Sequence, residues 1–259
     1  MKIIVATNIR GGCGKTTNVL HLAVAASLAR KNNRVLAVDL DPQAHLTHCL
    51  LPQTVDGSHH YIDDLLQGEA ASPLETHYKN LSIIPSRMKL TRIQDTWLLG
   101  KPRWEELLLR ALARFKDDFD YVFIDTPAAY FKIHVLAIRA SDAYIISMRP
   151  EAFSLVGFAE SIGEIEGFKK ELDLHTPVYA GYFLNGVPKA KRLAIERIRE
   201  TISSEFKKFS GAAYEIQQSN LFDEARWSPK QSIFLYPGTK ALQANYKTAW
   251  KRLSERVGA

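Results

Sequence analysis

The stretch that decides the fold runs from Met1 to Thr17, "MKIIVATNIRGGCGKTT". An apolar run suited to a buried strand gives way at Asn8 to a glycine-rich turn, which ends in Lys15, Thr16 and Thr17 and opens a long helical pattern. A helix N-terminus carries unpaired backbone N–H groups and a partial positive charge, so it binds phosphate. Gly11, Gly12 and Gly14 let the backbone wrap an anion without side-chain clashes, with the amide of Cys13 between them. Lys15 can reach the β- and γ-phosphates of a nucleotide, and the Thr16 hydroxyl can ligate Mg²⁺. The spacing departs from G-x-x-x-x-G-K-[ST]. Counting back from Gly14 puts Ile9 where the leading glycine would stand, and Arg10 directly precedes the glycines.

Outward from this turn, short β-rich runs alternate with longer helical patterns. Strands are predicted at Ile3–Thr7, Arg34–Asp39, Leu81–Pro85, Tyr121–Asp125, Ala143–Met148 and Val178–Leu184, with one more at Ala212–Ile216. They are nearly continuous apolar runs, as a parallel sheet covered on both faces requires. Helices are predicted at Lys15–Lys31, Trp104–Phe115, Phe153–Glu171 and Ala190–Phe209. A closing helix over Thr239–Val257 carries Leu242, Tyr246, Trp250, Leu253 and Val257 on one face. The least regular segment, Pro52–Tyr78, reads as a loop around a short helix at Tyr61–Leu66. The alternation predicts a doubly wound α/β fold, a mostly parallel sheet with helices on both faces. No repeat or flexible linker divides residues 1–259, so one domain is expected.

Composition narrows the function classes. The chain of 259 residues is 46% hydrophobic, enough for a substantial core and too much for a disordered protein. No apolar run reaches the ~18–20 residues of a membrane span, and the opening apolar run breaks too early for a signal peptide. Cys13 and Cys49 are the only cysteines, which suits a reducing, cytoplasmic compartment. The net charge of +6 is unevenly spread: Val187–Ala259 holds fourteen Lys or Arg against seven Asp or Glu, and the rest is close to neutral. Such an excess is either a solvated helical surface or a face for a polyanion.

Acidic residues stand where phosphoryl transfer needs them. Asp125 ends the strand "YVFID", at the carboxyl edge of the sheet where ligands bind, and fits the acidic residue that holds Mg²⁺. Asp39 and Asp41, in "VDLDPQ", end the second strand on the same edge. A strand-terminal aspartate is often only a helix N-cap; three beside a phosphate loop form a set.

Together "RGGCGKTT", "DLDPQAHLT" and "VFIDTPAA" resemble the ParA/MinD family of deviant Walker ATPases. "SDAYIISMRPEAFSLVGF", "GYFLN" and "LYPGTKALQANY" extend the likeness over almost the whole chain, closest to the ParA branch. The resemblance implies an ATPase that dimerises on MgATP and binds DNA without sequence preference. It further implies that the dimer positions a plasmid, chromosome or other cargo, with a ParB-like or other adaptor stimulating hydrolysis. By the same resemblance Lys15 is the loop lysine, Thr16 the Mg²⁺ ligand and Thr17 a phosphate contact. Asp41 orients the attacking water, Asp39 and Asp125 belong to the magnesium shell, and Asn185 is an adenine contact. Where the family has a lysine that crosses to the partner's nucleotide, this sequence has Arg10, whose reach and geometry differ. "EIQQSN" at Glu215–Asn220 replaces the usual Ile-Pro.

The basic C-terminal quarter then acquires a purpose. Lys240, in "YPGTKA", stands where the resemblance places a DNA-contacting cation, and Arg226, Lys230, Lys247 and Lys251 extend that surface. Such binding is phosphate-based and salt-sensitive, which implies association with the nucleoid. The chain begins almost at the loop, so an operator-binding domain ahead of it is not expected. A redox role for Cys13 and a zinc site at His45, His48, His59 and His60 lack supporting ligands at suitable spacing. Two rival functions stay open: an ATP-dependent DNA platform in which Arg10 has weakened hydrolysis, and a MinD-like switch whose closing helix lies on a membrane. Core burial of that helix is the expectation.

Overall fold

A computed structural model describes residues 1–51, 60–93, 97–128, 132–151, 153–188, 192–228 and 232–258. The elements run β1 (Lys2–Thr7), α1 (Lys15–Ala29), β2 (Val35–Asp39), α2 (His45–Leu50), α3 (Ile62–Leu66), β3 (Leu74–Glu75), β4 (Leu81–Ile84), α4 (Leu90–Arg92) and α5 (Leu107–Ala113). They continue with β5 (Tyr121–Asp125), α6 (Lys132–Ala140), β6 (Ala143–Met148), α7 (Ser154–Glu171), β7 (Val178–Val187), α8 (Arg192–Glu205), β8 (Ala213–Gln217), α9 (Leu221–Trp227) and α10 (Lys240–Arg256).

The strands form one eight-stranded sheet in the order β3-β4-β2-β5-β1-β6-β7-β8. Every pairing is parallel except that of β3 with β4. The doubly wound fold is therefore the one predicted. Alternation along each strand sends side chains to two cores: Ile3 and Val5 of β1, Leu36 and Val38 of β2 and Val122 and Ile124 of β5 share one, while Ile4, Ala6, Val35, Ala37, Tyr121 and Phe123 face the other.

Helix α1 is buried along nearly its whole length, because α10 covers its outer side while the sheet takes its inner one; a helix covered all round is apolar all round. The apolar face of α10 is the expected one, with Leu242, Tyr246, Trp250, Leu253 and Val257 all buried. The Trp250 ring stands edge-on to Tyr121 at 4.8 Å and to Phe123 at 5.6 Å, and burying a side chain of this kind contributes on the order of 2–3 kcal/mol. This face is occupied within the chain, which takes away the apolar surface that the membrane-switch reading requires. No helix among the described residues is long and apolar enough to cross a membrane.

The structure corrects several boundaries. The stretch predicted as one helix from Trp104 to Phe115 begins as a 3₁₀ turn at Trp104–Glu106 and becomes α-helical at Leu107. The helix expected over Ala190–Phe209 ends at Glu205 and is followed by a 3₁₀ turn, Lys207–Phe209; its start lies outside the described residues. Helices α2, α4, α6 and α9 and the short edge strand β3 were not anticipated. Each is too short to show a clear period, and β3 is only two residues long. In the irregular segment α3 forms as expected, closed by a capping box in which the Asp64 carboxylate accepts the Tyr61 N–H at 3.0 Å.

Candidate functional site

Strands β1, β2 and β5 are neighbours, and Asp39 pairs in register with Asp125. Their carboxyl ends, with the turn after β1, line a cavity of about 730 Å³ bounded by Gly11–Thr17, Asp41, Thr126 and Arg149, and on its far side by α2 and α9. Sheet order thus gathers the three predicted segments at one edge.

The turn is shaped for an anion. Gly14, the N-cap of α1, has φ 93°, and no side chain caps the helix. Gly12 also has positive φ. A Cβ on Gly14 would come within 2.7 Å of Asn185 Nδ2, so glycine is required there on two counts. The uncapped N–H groups of the first turn of α1 keep their donors for a ligand. Lys15 is buried, and its ammonium donates to the carbonyls of Asn8 at 2.9 Å and Arg10 at 3.0 Å, which draws the turn around its own charge. Asn8 holds the turn to β6, donating through Nδ2 to the Ser147 carbonyl at 2.8 Å and accepting the Arg10 N–H at 2.9 Å. A polar residue just past a strand end was the only sequence signal for that part.

The aspartates divide their work. Asp39 is fully buried and has both oxygens engaged: Oδ1 accepts the Asp41 N–H at 3.0 Å, and Oδ2 accepts the N–H and hydroxyl of Thr47 at 2.8 and 2.7 Å. Its contacts make it the anchor of the Asp41 turn and of α2. Asp41 in turn accepts the Gln43 N–H at 2.9 Å and lines the cavity. Asp125 is also fully buried, yet neither of its oxygens has a hydrogen-bond partner among the described residues. Burial pushes the carboxyl groups of Asp39 and Asp125 up, and the neighbouring Asp39 charge pushes Asp125 further, well above the usual range, against the pull of Thr16 and Lys15. Two orphaned carboxylate oxygens facing the Thr16 hydroxyl suit a hard, oxygen-seeking cation such as Mg²⁺.

Asn185 donates from Nδ2 to the Cys13 carbonyl at 2.8 Å and so braces the turn, while its Oδ1 is buried without a hydrogen-bond partner among the described residues. The Cys13 thiol is buried, points to the Arg10 carbonyl at 3.3 Å and is pushed up by burial, all of which keep it an unreactive thiol. Arg10 does not line the cavity. Its side chain lies on α7, where a Cβ at Gly157 would meet Arg10 Cδ at 2.7 Å, and its Nε is buried without a hydrogen-bond partner among the described residues. Arg226, expected on the DNA-facing surface, instead reaches into the cavity and donates to the Thr17 hydroxyl at 2.7 Å. Lys240, Lys247 and Lys251 are exposed along α10, and none forms an ion pair among the described residues; Lys230 lies outside the described residues. His45 and His48 are exposed at the cavity mouth, and no cluster of three metal-binding side chains occurs among the described residues.

One buried residue escaped the sequence reading. His21 links the loop helix to the C-terminal region: Nδ1 lies 2.7 Å from the Thr17 carbonyl, and Nε2 accepts the Ile233 N–H at 3.4 Å, which fixes Nδ1 as the protonated nitrogen. Its ring is wedged against Phe222 and Tyr246 at 5.4 and 4.9 Å, and burial pushes it down to about 3, so it is neutral.

The family profile described as an AAA domain matches residues 1–176. An uncharacterized Pseudomonas putida protein is 34% identical over 177 residues, which are 66% of this chain and 65% of that protein; the chain thus spans just under two thirds of that relative. The sporulation initiation inhibitor protein Soj of Bacillus subtilis is 31% identical over 77% of this chain and 78% of its own length. A ParA family protein of Chlamydia pneumoniae is 34% identical over 64% of this chain and 66% of its own. Among solved structures, a complex of Cyanothece McdA with ATP superposes with a TM-score of 0.83 over 100% of this chain and 96% of that one, at 22% identity. Cobyrinic acid a,c-diamide synthase of Mycobacterium smegmatis, bound to an ATP analogue and magnesium, superposes with a TM-score of 0.78 at 21% identity, covering 97% and 93% of the two chains. At these identities the structural likenesses concern the fold.

Proposed function

The chain belongs to the ParA/MinD family of P-loop ATPases, and from that premise we propose that it is a MgATP-dependent dimer that hydrolyses ATP slowly, binds DNA without sequence preference and positions a cargo through an adaptor. The observation that carries the reading is the uncapped, lysine-bearing N-terminus of α1 with the unpartnered carboxylate of Asp125 beneath it. Residues 1–259 act as one domain in this proposal.

Thr16 and Asp125 would hold Mg²⁺, which neutralises charge on the β- and γ-phosphates when bound. The turn amides and Lys15 hold the phosphate chain. Asp41, kept at the cavity wall by Asp39 and the Gln43 N–H, orients the attacking water. Arg10, which does not line its own cavity, would cross the dimer interface to serve the partner's nucleotide. Lys240, Lys247 and Lys251 offer unpaired charge to DNA phosphates.

The direct test is light scattering with DNA co-sedimentation. MgATP should convert the protein to a dimer, most completely in Asp41→Ala, and the dimer should bind DNA with an affinity that falls steeply with salt. Lys240→Glu should weaken DNA binding by about tenfold while leaving ATP affinity unchanged. An unchanged mass at saturating ATP, or equal DNA affinity with ADP and ATP, would sink the idea.

Gly14→Ala tests the turn. The left-handed conformation and the contact with Asn185 should together cost about 1–3 kcal/mol of stability. ATP affinity should fall at least about tenfold, because the amides lose their aim. Thermal unfolding and titration with a fluorescent ATP analogue read the two effects; wild-type affinity would count against an amide cradle.

A further inference from the structure

We propose that Arg226 is a cation of the nucleotide site in its own protomer, binding the phosphate chain at the Thr17 end of the turn. The proposal rests on the reading of the cavity as an ATP site and adds to it a residue from the C-terminal region.

Phe222 and Arg226 are four residues apart on α9 and so share a helix face, and both line the cavity. That face is fixed by the buried Ala225 and by the Phe222 ring against His21 at 5.4 Å. Arg226 Nη2 donates to Thr17 Oγ1 at 2.7 Å. Thr17 stands in the first turn of α1, where the helix field favours an anion. Among the described residues the charge of Arg226 is otherwise met only by Asp223 at 3.5 Å, whose side chain is 76% exposed, a contact that solvent weakens. Of the other cations at the cavity, Lys15 is bonded to two carbonyls, and Arg149 pairs with Glu151 at 3.2 Å, a contact that is exposed in its turn. A guanidinium has five N–H donors in a planar fork, so donors remain for two phosphate oxygens after the Thr17 contact. A cavity of about 730 Å³ admits a small molecule, whereas a DNA backbone is followed along an open surface, as α10 offers.

Calorimetric titration of the full chain with ADP and with ATP, without DNA, tests this on wild type, Arg226→Gln, Arg226→Lys and Lys15→Ala. Arg226→Gln should weaken ADP and ATP by the same factor, about tenfold, since the proposed contact is with phosphates that the two nucleotides share; Arg226→Lys, which keeps the charge and loses the fork, should fall between. Thermal unfolding of the nucleotide-free proteins should be unchanged, because Ala225 and Phe222 still seat α9; should the glutamine variant unfold, the lysine variant carries the test. Wild-type affinity in Arg226→Gln, beside a loss in Lys15→Ala, overturns the proposal and leaves the ATP site standing. Loss of DNA binding alone in Arg226→Gln overturns it as well, and returns the residue to the DNA surface. Failure of the wild type to bind either nucleotide overturns both.

Discussion

Asp125→Asn should make the nucleotide-free protein more stable at pH 8 and at the same time remove its ATP turnover. The two effects share one cause. Asp125 is fully buried with no hydrogen-bond partner for either oxygen among the described residues, in register with a second buried carboxyl, Asp39. Its carboxyl is held well above the usual range, so the folded state binds its proton more tightly than the unfolded chain does. Above about pH 4 the unfolded aspartate ionises while the folded one resists, and stability drains away as pH rises until the folded group ionises too. Asparagine has no such dependence. The variant should therefore gain about 1–3 kcal/mol at pH 8, and the gain should close towards pH 4. The same exchange removes the charge that would hold Mg²⁺, so turnover should fall by about 10²–10³-fold. Thermal unfolding across pH 4–8 together with a phosphate-release assay checks both halves. A variant less stable than wild type throughout this range would mean that Asp125 has a partner in the folded chain.

Arg10→Ala should leave ATP affinity within about twofold of wild type and lower DNA-stimulated turnover by about 10³-fold, the scale of a trans arginine. Affinity survives because Arg10 is absent from its own cavity, where Lys15 and the amides remain. Turnover should not, because on the proposed trans role the cation arrives from the partner and acts on charge that develops in the transition state. Arg10→Lys should restore part of the rate, with a shorter reach and no fork. Gly157→Ala adds a structural handle: its Cβ would fall 2.7 Å from Arg10 Cδ, and a flexible side chain yields to such a contact at little cost. That variant should unfold near the wild-type temperature with Arg10 displaced from α7, and should keep ATP-dependent dimerisation. The competing role, a surface ion pair worth at most about 1 kcal/mol, finds no acidic partner for Arg10 among the described residues. If Arg10→Ala turns over like wild type, the trans role is wrong.

Much of the architecture was legible before any coordinates. The six main strands carry nearly unbroken apolar runs, and the closing helix repeats Leu242, Tyr246, Trp250 and Leu253 at helical spacing. Both patterns are local and long enough to show their period. The turn was legible for the same reason: Gly14, Lys15 and Thr16 act within a few residues of one another. Elements under about eight residues, such as α2 and α9, gave no such signal, and the break at Glu106 in the predicted Trp104–Phe115 helix left no proline or glycine to announce it.

The sequence by itself thus determined a strand, an anion-binding turn and a helix at the N-terminus, the doubly wound alternation that follows, and the set of acidic and basic side chains available to the site. Only the tertiary structure decided how those side chains are spent. It put Asn185 against Cys13 across 172 residues and Arg226 against Thr17 across 209. It committed both oxygens of Asp39 to Asp41 and Thr47 and left those of Asp125 without a hydrogen-bond partner among the described residues. The physical reason is that propensity and periodicity act over a turn or a strand. Which distant side chains meet at the carboxyl edge follows from the strand order β5-β1-β6-β7-β8 and from how α9 and α10 settle on α1, and no short window of sequence contains that information.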